Sequence, residues 1–305
     1  MTQVLCVGEP LVTLTPPPGT SLGVAEAAHL GVGGAELNVA VHLARFGVDV
    51  AYAGAVGADP FGARIRRVLT SEGVDCTELR DAPGSTGLYC KEPGPSARTL
   101  YYRANSAGCR LRPVSPDLLS GVGLVHVTGV AFGLHGEIER TVRALHARPR
   151  SWRLSFDLNF RPALWSADQA GPVLLEAARA ADLVFVGRDE AAAVWGVDDS
   201  EQIRELLGPA IELVIKDGER DVEIWVDGQW WRSTPPAVTV VEPVGAGDAF
   251  AAAYLAARLS SSDPAAAAAR GHRLAGHVMA SLADQGDADH PIYRELSRPS
   301  VSTSP

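Results

Sequence analysis

Cysteine is scarce in this 305-residue chain, and the four that occur, Cys6, Cys76, Cys90 and Cys109, never form a Cys-x-x-Cys pair. Neither a zinc site nor a disulfide framework is expected, and a reducing compartment is the default. The eight histidines include no His-Glu-x-x-His. His272 and His277 are five apart on an expected helix and do not share a face closely enough for a metal, so they read as packing or solvent residues. Positive charge is in deficit, with 27 Lys and Arg against 36 Asp and Glu and a net charge of −9. That balance disfavours nucleic acid or an anionic membrane as a partner, and an anionic substrate would need a locally basic pocket. No apolar run approaches membrane-spanning length, and residues 1–8 lack the basic start and apolar core of a signal peptide. A cytoplasmic protein is expected. Internal repeats and inter-domain linkers are also missing.

What is present is ordinary packed material, 46% hydrophobic and 21% charged. From residue 125 strands and helices alternate. Strands are expected over 125–127, 153–157, 183–186 and 212–216, and helices over 137–146, 169–180, 190–195 and 201–207. Strands separated by helices imply right-handed crossovers and a mostly parallel sheet covered on both faces. A hairpin over 222–231 turns at Asp227-Gly228. Earlier in the chain, a strand over 49–57 precedes a helix over 60–73, which has Pro60 at its start and Gly73 at its end. Residues 11–19 run into three consecutive prolines, so an edge or lid strand is expected there rather than a central one. Residues 85–92 and 98–104 form a second hairpin around Pro93-Gly94-Pro95. The expected architecture is α/β: one domain over residues 1–296 with a small β lid from about 9–18 and 85–105, then a disordered tail over 297–305.

Three stretches carry chemistry. Pro243-Val244-Gly245-Ala246-Gly247-Asp248-Ala249-Phe250 is a glycine turn opening an apolar helix, which leaves backbone N–H groups unpaired at the positive end of a helix dipole. Such a turn binds an anion, usually phosphate. Asp248 either complements the dipole or accepts a hydroxyl proton during phosphoryl transfer. The second stretch, Gly31-Val32-Gly33-Gly34-Ala35-Glu36-Leu37-Asn38, fails as a dinucleotide fingerprint because Glu36 replaces the third glycine and no convincing first strand precedes it. It keeps a double glycine that lets a ligand approach the backbone, with the Asn38 amide one turn on; a tight turn with a surface Asn is the plainer reading. Third, Tyr89, Tyr101, Tyr102 and Arg103 cluster on the hairpin, and Asp157-Leu158-Asn159-Phe160-Arg161 falls at a strand end, where α/β sheets bind ligands.

Taken together, Gly33-Gly34 with Asn38, Gly57-Ala58-Asp59-Pro60-Phe61-Gly62, and the run from Val244 to Phe250 resemble the signatures of the PfkB/ribokinase family of carbohydrate kinases over nearly the whole chain. There is no Walker A sequence. The resemblance implies a ribokinase-like fold, ATP and Mg2+ as cofactors, and Asp248 as catalytic base. In that picture Gly245, Ala246 and Gly247 hold the transferring phosphoryl group, Lys216 and Gly218 border ATP together with Gly245 and Gly247, and Glu190 serves the metal. A Tyr-x-Arg pattern at Tyr101 and Arg103 and an Asp-x-Asn-x-Arg-x-x-Leu-Trp pattern from Asp157 to Trp165 resemble the 2-keto-3-deoxygluconate kinases of that family. Their substrate bears a carboxylate, which a guanidinium binds through two hydrogen bonds. Arg103 and Arg161 are the implied carboxylate ligands, with Gly33, Gly34, Asn38, Tyr89, Tyr101 and Asp248 completing the sugar site.

Three positions depart from the family pattern. Gly187 stands where an Asn of the magnesium motif is common, and Asp221 replaces the last glycine of the nucleotide loop. Glu242 replaces an Asp linked to a monovalent cation, so dependence on such an ion does not follow. A homo-oligomer formed through the lid is a family expectation. Kinases of neutral sugars or nucleosides, a non-catalytic sugar-binding regulator and a nicotinamide-dependent dehydrogenase are the rival functions. Intact Asp248 disfavours the regulator, and the broken glycine motif disfavours the dehydrogenase.

Overall fold

A computed structural model describes residues 2–92, 98–209 and 211–297. Its strands are β1 (Val4–Val7), β2 (Leu11–Thr15), β3 (His29–Gly33), β4 (Val50–Val56), β5 (Leu79–Asp81), β6 (Leu88–Glu92), β7 (Arg98–Tyr102), β8 (Leu124–Thr128), β9 (Arg153–Asp157), β10 (Leu183–Gly187), β11 (Glu212–Lys216), β12 (Val222–Val226) and β13 (Gln229–Ser233). Nine of them form one sheet in the order β13-β12-β11-β10-β9-β8-β1-β4-β5. From β11 to β5 every pair is parallel, and β12 and β13 add an antiparallel edge. The central strands are unbroken apolar runs such as Val4–Val7 and Leu183–Gly187, all buried, because helices cover both faces. On one face the helices Gly136–His146 and Ala167–Ala180 pack over Val125, Val127, Phe156 and Val184. The opposite face carries the helices Ala35–Arg45, Ala246–Leu259 and Pro264–Met279 over Val4, Cys6, Tyr52, Phe185 and Val214.

The expected parallel sheet, the two hairpins and the small sheet are all present. Two details of the lid differ from expectation. It contains a fourth strand, β3, so its order is β3-β2-β6-β7 and β2 lies inside it rather than at an edge. Pro16, Pro17 and Pro18 begin just after β2 ends, so they remove none of its ladder donors. The last long helix stops at Met279 instead of continuing to about 283, and beyond it Leu282 O accepts from Lys91 on β6 while Gln285 donates to Val32 O on β3. The loop Pro93-Gly94-Pro95 and the tail after Ser297 lie outside the described residues.

Candidate active site

The carboxyl ends of the parallel strands converge on a cleft of about 980 Å³, closed on one side by the small sheet. Its floor is set by strand register. Asp157 ends β9, Gly187 ends β10 opposite Lys216 at the end of β11, and Glu190 follows in the first turn of the helix Arg188–Trp195. Lys216 Nζ donates to Asp157 Oδ2 at 2.8 Å. Burial alone would lower the Lys216 pKa, but Asp157 and Glu190 hold it above its ordinary value, so the ammonium stays charged. Glu190 is fixed by two backbone donors, Phe160 N–H and Gly187 N–H, each at 2.9 Å. Burial raises the Glu190 pKa against the pull of Lys216. Asn159 is held in a left-handed conformation, and its buried Oδ1 has no partner among the described residues.

Over this floor stands the glycine turn. Gly245 takes φ 88°, a left-handed conformation, and a Cβ there would collide with the backbone carbonyl of Asp284. Ala246 N–H closes the turn on Pro243 O at 3.2 Å. The N–H groups of Gly245, Gly247 and Asp248 are the ones left without an acceptor among the described residues; Gly245 and Gly247 belong to the expected set, and Asp248 stands in place of Ala246. Asp248 is 9% exposed. Its Oδ2 accepts from Asn38 Nδ2 at 2.7 Å, which leaves Oδ1 without a donor among the described residues. Burial raises the Asp248 pKa to about 6; Asp157 adds to that, while Asn38, Arg161 and Lys216 oppose it.

Asn38 is buried rather than a surface residue, and its amide is spoken for at both ends, because Gln285 Nε2 donates to its Oδ1. Gly33 and Gly34 precede it at the junction of β3 and the helix Ala35–Arg45. Gly34 takes φ 127°, and a Cβ would lie 2.6 Å from the Glu9 carbonyl oxygen, so only glycine fits. Glu36 faces the same cleft with its carboxylate on Thr128 Oγ1 at 2.6 Å, and burial raises its pKa to about 7. Of the two arginines expected to bind a carboxylate, only Arg161 is unpaired among the described residues; it is exposed on the cleft wall, close enough to Asp248 and Glu190 to influence both. Arg103 is buried in an ion pair with Glu9, with Nε donating to Glu9 Oε2 at 2.7 Å, and it stacks 5.5 Å from the Tyr101 ring. Tyr89 and Tyr101 line the cleft from the small sheet.

Val222, Pro235, Pro236, Val238, Val240 and Met279 give the cleft an apolar part, and Gly218 also lines it. Asp221 is drawn away by an ion pair to Arg232. The cation beside Glu242 is an internal one, Lys91 Nζ at 3.9 Å. His272 is buried edge-on to Phe250, a packing role as expected. No group of three or more His, Cys, Asp or Glu among the described residues is disposed to hold a metal by itself, and no helix among them is long and apolar enough to cross a membrane. Glu9, Glu36 and Asp284, which line the cleft, and Gln285, which holds Asn38, were not among the expected site residues. Each belongs to the site through long-range contacts that leave no local pattern.

A family model described as pfkB family carbohydrate kinase matches residues 1–290. A 2-dehydro-3-deoxygluconokinase of Thermoproteus tenax is 33% identical over 286 residues, covering 87% of this chain and 84% of that protein. A fructokinase of Klebsiella pneumoniae is 34% identical over 234 residues, covering 73% and 76%. A crystal structure of fructokinase from Vibrio cholerae in a fructose, ADP and calcium ion bound form superposes with a TM-score of 0.81 at 24% identity, covering 97% of this chain and 99% of that one.

Proposed function

Because the chain belongs to the pfkB family of carbohydrate kinases, we propose that it transfers the γ-phosphoryl group of ATP to a hydroxyl of a sugar acid, 2-keto-3-deoxygluconate, giving 2-keto-3-deoxy-6-phosphogluconate. The observation that carries the substrate class is Arg161, a cation without an internal partner among the described residues, on a cleft wall otherwise rich in carboxylates. An exposed guanidinium on a cleft wall suits a ligand that brings its own carboxylate.

In this reading the sugar acid enters between Gly34 and the lid residues Tyr89 and Tyr101, with its carboxylate on Arg161 and secondarily on Arg103. Its reacting hydroxyl meets Asp248 Oδ1, the oxygen that Asn38 leaves free, and gives up its proton there. The unpaired amides of Gly245, Gly247 and Asp248 receive the phosphoryl oxygens, and Lys216 supplies positive charge beside them. The adenine lies along the apolar part of the cleft, beside Gly218. Magnesium fits the donors present, because it is usually held by one or two carboxylates together with phosphate and water. Glu190, already oriented by two amides, is the carboxylate that would face its water shell. When bound with ATP the ion neutralises phosphate charge. A cytoplasmic location and pairing of the small sheet between copies of the chain belong to the same reading.

A second reading, a kinase for a neutral sugar, is favoured by the fructokinase relative. Arg161→Ala separates the two. Loss of a charge-assisted contact should raise KM for the sugar acid by about 10- to 100-fold and leave turnover of any accepted neutral sugar unchanged. Equal losses for acidic and neutral substrates would remove Arg161 from carboxylate recognition.

A further inference from the structure

Lys91 is a buried ammonium that the proposed reaction does not use. It lies on β6 two residues beyond Tyr89, so both side chains leave the same face of the strand, toward the body of the protein. Lys91 Nζ sits 2.6 Å from Asp284 Oδ1 and 3.0 Å from Leu282 O, with Glu242 Oε2 at 3.9 Å. Tyr89 Oη donates to the other oxygen of the same Asp284 carboxylate. Both members of the ion pair are nearly inaccessible, at 4% and 2% side-chain exposure.

The partners bracket the glycine turn. Glu242 lies just before it and accepts Val244 N–H at 3.2 Å. The Asp284 backbone carbonyl presses against Gly245, and the next residue, Gln285, holds Asn38, which in turn holds Asp248. One short segment, residues 282–285, therefore touches the small sheet on one side and the turn with its carboxylate on the other. A buried ion pair holds its geometry only while both partners are in place, since either alone is an uncompensated charge.

We propose that Lys91 and Asp284 are positioning residues, a latch through which the seated small sheet fixes the glycine turn for phosphoryl transfer. The proposal rests on the kinase reading but not on the identity of the sugar. Tyr89 makes the latch sensitive to the substrate, because the residue whose hydroxyl anchors on Asp284 also lines the cleft. Displacing the reacting groups without removing them should act on turnover rather than on nucleotide binding.

The test uses Lys91→Met, Asp284→Asn and the double variant in the full-length protein. Each variant is assayed for kcat and for KM of sugar and of ATP, with whichever sugar the wild type phosphorylates. Amide hydrogen exchange over residues 243–250 and thermal denaturation are recorded alongside. Each single variant should lower kcat by about 10- to 100-fold, raise the sugar KM, leave the ATP KM within about twofold, and speed exchange in the turn. The double variant should be no worse than the poorer single, as expected for two residues acting as one unit. Folded variants with unchanged kcat and unchanged exchange in the turn, or losses that simply add, would overturn the latch. The exchange readout needs no turnover, so failure of the substrate assignment leaves the latch separately decided.

Discussion

Asp248 combines two properties that single-residue chemistry can test. Burial raises its pKa to about 6, and only its ionised form accepts a proton. The rate kcat/KM should therefore rise with pH through about 6 and level off above it. In Asp248→Asn that limb should vanish and kcat should fall roughly 10²–10⁴-fold, with sugar and ATP binding by calorimetry nearly unchanged. Persistence of the same limb in the variant would assign it to another group. Asp248 was legible in the sequence because a carboxylate between a glycine turn and an apolar helix is a local pattern. Asn38 was legible only as a position. Its burial, and the engagement of both ends of its amide, follow from Gln285 some 247 residues away. Glu36 was visible only as the residue that broke a glycine motif, since its contact with Thr128 is also made in three dimensions. The two arginines looked equivalent as a pair of guanidinium groups, and Glu9, nearly a hundred residues from Arg103, is what sets them apart.

Among the elements, the glycine turn makes the firmest demand on sequence. Gly245→Ala would place a side chain in a left-handed conformation and against the Asp284 carbonyl. Strain of this kind costs about 1–3 kcal/mol, so a lowered Tm and a kcat reduced more than the ATP KM are expected from denaturation and steady-state assays. An unperturbed enzyme would mean that the turn tolerates movement and that its amides are not held in place. Helices and strands with a strong period were readable, and Pro60 and Gly73 marked a helix that the structure ends at Ser71. Strand β3 was not, because its residues are only partly buried and its identity comes from pairing with β2. The last long helix was drawn too long for a related reason. Ala280 and Ala283 are good helix formers, but Leu282 O bonds to Lys91 and Gln285 to Val32 and Asn38, and these tertiary contacts outweigh local propensity.

At the scale of the whole molecule, alternating strands and helices made the parallel sheet and its carboxyl-end site readable before any coordinates. How the small sheet seats on that site was not readable, because Lys91 and Asp284 carry no motif and meet across 193 residues of chain. The seating matters to function: it closes a cleft of about 980 Å³, in the range of small-molecule and cofactor sites, and brings the lid tyrosines over Asp248 and Arg161. The substrate class is the property of this assembled cleft, so it is best tested on the intact protein. Initial rates with ATP and magnesium over a panel of 2-keto-3-deoxygluconate, gluconate, fructose, glucose and ribose measure it directly. The account predicts the highest kcat/KM for the keto-deoxy acid, by at least about tenfold over any neutral sugar, the discrimination expected from one charge-assisted contact. Faster turnover of fructose or ribose than of the acid would contradict it.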